Sequence, residues 1–169
     1  MTWAILYPWL VTLHVLSAFA FMAIHGVSMG VWWRARRERD RTRLAAWLEL
    51  SAGFIAPMLL AGLLLIASGV VVGIAGGWWF DGRWWLLASI GLLVVIVAVM
   101  TPMLSIPLAK ARRGLGISHH ASLGTDTVPV PIGDAELDEL LSDRRPIIGA
   151  AIAIVGLVLI TWLMETKPF

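Results

Sequence analysis

The chain has 169 residues, 59% of them hydrophobic and 14% charged, with a formal net charge of +2. An ordinary soluble domain carries roughly a quarter charged residues, so a water-soluble globule and a disordered chain are both excluded. Cysteine is absent, which excludes disulfides, a thiolate nucleophile and Cys-bound zinc or iron–sulfur clusters.

Four apolar stretches, 9–33, 47–74, 84–108 and 146–164, are long enough to cross roughly 30 Å of hydrocarbon, which takes about 20 helical residues. Backbone in lipid must satisfy its own hydrogen bonds, and these runs do not alternate as barrel strands do, so they predict helices. All ten Trp lie at or near a predicted span end, as an interfacial belt requires. The expected fold is an all-α membrane protein, a single transmembrane domain over 1–169, built as a four-transmembrane-helix up-down bundle with both termini outside.

The first span follows eight residues without Lys or Arg and is about twice as long as a signal-peptide core, so it reads as a retained helix. It carries His14 and His25, the only ionisable side chains deep in a predicted span. Eleven residues at 100° each leave about 20° of rotation and a rise of about 16.5 Å. His14, Ala18, Phe21, His25 and Ser28 thus share a stripe that is expected to face the bundle interior. The loop 34–46 holds six Arg. The loop 109–145 and its flanks bring the total to eleven of the thirteen basic residues, with Arg83 and Lys167 on the other side. That asymmetry puts both charged loops in the cytoplasm, and the basic pI reports topology in a cell (plasma) membrane, not nucleic-acid binding.

Counting depth from each span's midpoint places Met58 of the second span and Met100 of the third near His25. The same count places Ser68, Ser89 and Thr161 near His14. Imidazole and thioether suit haem iron and Cu(I), so His25, Met58 and Met100 are candidate metal ligands. His14 is a candidate axial haem ligand. The structural alternatives are Met filling gaps in a core and His bonded to hydroxyls. No later span carries a His, so a bis-imidazole haem requires two chains. Pro57, Pro102 and Pro107 are expected to open their helices. Gly26/Gly30, Gly69/Gly73 and Gly149/Ala153 are expected to let helices approach closely.

In the loop 109–145, residues 114–133 read as irregular, with His119 and His120 solvated. Asp134–Ser142 reads as an amphipathic helix with Asp134 as N-cap and Leu137, Leu140 and Leu141 on one face. It is expected on the membrane surface or on a partner. No Asp, Glu, Lys or Arg lies mid-span, which disfavours a proton-coupled transporter and general acid–base catalysis.

Leu13-His14 before a helix with Gly26 and Gly30, the Arg-rich loop 34–43, and the ending Trp162-Leu163-Met164-Glu165-Thr166-Lys167-Pro168 carry a resemblance. The chain resembles a bacterial family of four-helix predicted integral membrane proteins of unknown function, distantly similar to copper-resistance-D-like and membrane protoporphyrinogen-oxidase-like proteins. The resemblance implies haem b at His14, or His/Met copper handling. The chain departs from those relatives in lacking a matching later His and a buried basic residue, and in adding His25. The expected function is a non-catalytic membrane subunit of a redox or bioenergetic assembly, in contact with lipid and with other membrane subunits or copies of itself. The alternatives are a stand-alone haem- or copper-handling protein and a small-solute transporter.

Overall fold

The computed structural model describes residues 3–79, 83–117 and 130–168. Among them there is no strand, and four helices are long and apolar enough to cross a membrane. The first, α1, runs Trp3–Ala35. Asp40 then starts α2, Arg41–Gly53, by accepting from the backbone N–H groups of Thr42 (2.8 Å) and Arg43 (3.3 Å). Because of this cap the second span's helix begins six residues before the apolar run, inside the predicted loop 34–46.

The second span is broken at Phe54, and α3 continues as Ile55–Ala75. Pro57 supplies the reason, since it has no N–H to offer the Gly53 carbonyl. The chain turns through Gly77, whose φ of 68° favours glycine, and α4 follows as Trp84–Met100. Pro102 and Pro107 each remove a helical donor, and the span widens there into a π-helical turn, Thr101–Ser105. Within it the Ile106 N–H reaches back to Thr101 O. The helix then continues as α5, Ile106–Gly114, beyond the apolar run. α6 is Asp134–Ser142 and α7 is Arg145–Thr166.

The four spans pack chiefly as two pairs, α1 with α3 and α4 with α7. Both pairs are antiparallel. Stepping from His14 to Phe21 on α1 moves the contact from Gly69 back to Gly62 on α3. Stepping from Gly149 to Gly156 on α7 moves it from Met103 back to Ile96. Each pair therefore turns on glycines seven residues apart, which bring the helices close enough for a facing side chain to sit where a Cβ would be.

The largest buried cluster lies at the charged end, where Trp32, Leu48 and Ala111 are fully enclosed with Leu137, Leu141 and Ala153. At the opposite end Trp85, Leu86 and Leu163 form a smaller one. Lys167, in the left-handed conformation that ends α7, sets its Nζ 5.0 Å from the Trp78 ring and 5.9 Å from Trp85. The Trp belt is thus incomplete. Trp3, Trp9 and Trp84 are exposed, whereas Trp32 and Trp85 are core residues.

Candidate functional site

His14 and Phe21 of the stripe on α1 face α3. His14 Nδ1 lies 3.1 Å from Leu65 O and 3.2 Å from Ser68 Oγ. The Ser68 hydroxyl proton is directed to Leu64 O, so Ser68 Oγ and Leu65 O both accept from an Nδ1–H, which leaves the lone pair on Nε2. A Cβ at Gly69 would stand 2.9 Å from His14 Cε1, and one at Gly62 would stand 3.3 Å from Phe21. These two glycines make room for rings of α1, not for a flat cofactor. Ser89 and Thr161, expected at His14's depth, bond their own helices at Trp85 O and Leu157 O.

His25 Nδ1 lies 3.2 Å from Phe21 O, one turn back in α1, and its ring sits 4.4 Å from the Phe21 ring. That carbonyl again fixes the proton on Nδ1. Continuing the α1–α3 register four residues past Phe21 and Gly62 brings His25 level with Met58, which is half-buried on α3. Met100 belongs instead to the buried apolar cluster that contains Val31, Trp32 and Leu104. Of the candidate trio, His25 and Met58 thus share a level, and Met100 is a core residue.

Sequence reasoning missed Arg112. The helix that carries the third span runs on as α5, and Arg112 turns inward with only 5% of its surface exposed. Its Nε donates to Leu48 O (3.3 Å) and its Nη2 donates to Ser51 Oγ. The expectation that no basic residue is buried is therefore corrected. The available signal was Ser51, a small polar residue in an otherwise apolar stripe, while Arg112 itself read as one more loop charge. Trp32 Nε1 is, among the described residues, the one sealed side-chain polar atom without a hydrogen-bond partner.

The amphipathic α6 docks on the chain itself. Leu137 and Leu141 enter the buried cluster, and Leu140 is half-buried. Asp138 pairs with Arg39 (2.8 Å) and Asp134 with Arg41. Arg36 donates to Ser142 O (3.2 Å) and Arg41 to Ile132 O (2.8 Å). The N-cap is Gly133, with Asp134 in the first turn, where its charge still favours the helix. His119 and His120 lie outside the described residues.

The close-approach expectation holds for Gly69 and Gly149, while Gly73 meets Trp79 of its own turn. Among the described residues it does not hold for Gly26 and Gly30. Both are exposed, and a Cβ at either would meet nothing within 4 Å.

Among the described residues no group of three His, Cys, Asp or Glu is placed to hold a metal ion. His14 presents the tautomer of an axial ligand, but its ring is wedged in a helix–helix seam whose small residues are already filled. Of His25, Met58 and Met100, the first two share a level of the α1–α3 pair and Met100 lies in the buried apolar cluster. No family model, curated protein or solved structure matches the chain.

Proposed function

We propose that the chain is a non-catalytic integral membrane subunit that joins a larger assembly through α1. The resemblance noted in its sequence points to a redox or bioenergetic assembly. The carrying observation is the bare Gly26–Gly30 face. Glycines four apart weaken a lipid-facing helix unless another helix approaches them, and among the described residues nothing does. Only 6% of the first span's apolar window is buried, against 22% for each of the other three. The eleven-to-two distribution of Lys and Arg supports an up-down bundle with both termini outside and the charged loops cytoplasmic.

A second reading, a haem b or copper-handling protein, is favoured by one observation. Both His14 and His25 place the proton on Nδ1, next to a backbone carbonyl, and leave Nε2 free, the state of a ligating imidazole.

Because the chain has no cysteine, Gly26→Cys introduces its sole thiol, to which a photoactivatable maleimide can be attached in native membranes. A protein adduct is expected at position 26 and none at Leu63→Cys, on the 66%-exposed face of α3. Adducts at neither position, or equally at both, sink the subunit reading. A reduced haem α-band at stoichiometric iron in the purified sample selects the second reading instead.

A further inference from the structure

Arg112 is the one buried charge that neither of these readings uses. Its guanidinium is always protonated and carries five donors. The two hydrogen bonds it makes, to Leu48 O and Ser51 Oγ, are to neutral acceptors. Among the described residues the ion pairs join Arg39, Arg41, Arg43 and Arg145 to carboxylates, and none includes Arg112. The C-terminal end of α2 offsets part of the charge through its negative dipole. A partial charge spread over carbonyls does not replace an anion, and an enclosed cation without one is strongly disfavoured.

The depth of the site says which anion is at hand. α2 carries Arg43 and Glu49 on its exposed surface, whereas α3 is apolar from Ile55 onward. Ser51 lies one turn on the polar side of that change. On the facing helix α5, Lys110 and Arg113 are exposed on either side of Arg112. That is the level at which lipid phosphates lie, and a guanidinium fork matches phosphate oxygens in geometry. We propose that Arg112, steadied by Ser51 at the break between α2 and α3, binds the phosphate group of an anionic lipid or a free phosphate. The proposal does not depend on the subunit reading.

The full chain in neutral detergent is titrated with short-chain phosphatidylglycerol and with phosphatidylcholine of the same chain length. A parallel titration uses inorganic phosphate against chloride at fixed ionic strength, and bound species are counted by native mass spectrometry. Phosphatidylglycerol is expected to bind, and Arg112→Gln to weaken it about tenfold, the worth of a charge-assisted hydrogen bond. The exposed Arg113→Gln is expected to weaken binding less than Arg112→Gln does. Tighter binding of the lipid than of inorganic phosphate identifies the membrane as the source, and the reverse identifies a soluble phosphate. If Arg112→Gln does not fold, Arg112→Lys decides, since it keeps the charge but loses the fork and should bind several-fold more weakly. Unaltered phosphatidylglycerol binding in the folded variant, or no binding of either probe to the unaltered chain, overturns the proposal.

Discussion

The two helix pairs share a geometry and differ in what fills it. In both, glycines seven residues apart on one helix receive side chains of an antiparallel neighbour. On α3 the guests are rings, His14 at Gly69 and Phe21 at Gly62; on α7 they are Met103 at Gly149 and Ile96 at Gly156. The α1–α3 pair also carries an interhelical hydrogen bond, from His14 to Leu65 O and Ser68. In the α4–α7 pair Thr101, Ser89 and Thr161 each bond the helix they belong to. Close approach is therefore common to both pairs, whereas of the two only the pair built on α1 carries, among the described residues, a hydrogen bond between its helices. Lipid offers no hydrophobic drive between helices, so the second pair rests on shape and dispersion.

The largest effect is expected from Gly149→Ala. The new Cβ would lie 2.8 Å from Met103 Cβ, the root of a side chain fixed to its own backbone. The helices would have to part, at about 1–3 kcal/mol. For a chain of this size that is a fall of several degrees in the detergent unfolding midpoint. Gly156→Ala should cost less, because Ile96 Cδ1 is the nearest atom there and the end of a side chain can swing away. Equal losses at the two positions would mean that α4 and α7 separate as rigid bodies and that local shape does not decide.

A double-mutant cycle sharpens the polar side of the comparison. His14→Ala removes the imidazole from its seat on Gly69 along with its bond to Ser68, and Ser68→Ala removes only the bond's second acceptor. The coupling between them is expected at about 0.6 kcal/mol, the average for interhelical hydrogen bonds in membranes. A coupling of zero, measured from unfolding midpoints, would place the Nδ1 proton on Leu65 O alone and make Ser68 a bystander.

How much of this was legible in the sequence follows from the kind of information each feature needs. Span lengths are set by apolar runs, and the breaks near Pro57 and Pro102 by a missing donor, so both are local and were readable. The His14–Phe21–His25 stripe was readable for the same reason, as a rotation of 100° per residue. The partner of each glycine was not. Spacing marks a helix as approachable without saying which helix approaches, and the seven-residue spacing that the bundle uses was hidden behind more conspicuous four-residue pairs. Arg112 was missed because a polar helix continuing an apolar one carries no mark at the join, so an inward-turned charge looks like its exposed neighbours Lys110 and Arg113. The acidic face of α6 likewise did not announce that the Arg-rich turn of the same chain covers it.

The effect on the isolated chain expected at Gly26 is also small, and its sign is what matters. A Cβ there meets nothing, so Gly26→Ala strains no contact and removes a flexible glycine from a helix interior. That stabilises a helix by roughly 0.5–1 kcal/mol. The same substitution is thus destabilising at Gly149 and mildly stabilising at Gly26, although both belong to small-residue pairs with the same spacing. In native membranes the direction at Gly26 should reverse if another helix lies on this face, because a methyl group would then hold the backbones apart. Gly26→Ala that stabilises the purified chain but weakens its association in the membrane would mark α1 as a shared helix. Stabilisation in both settings would make the face lipid-facing and leave the α1–α3 pair to serve only the fold.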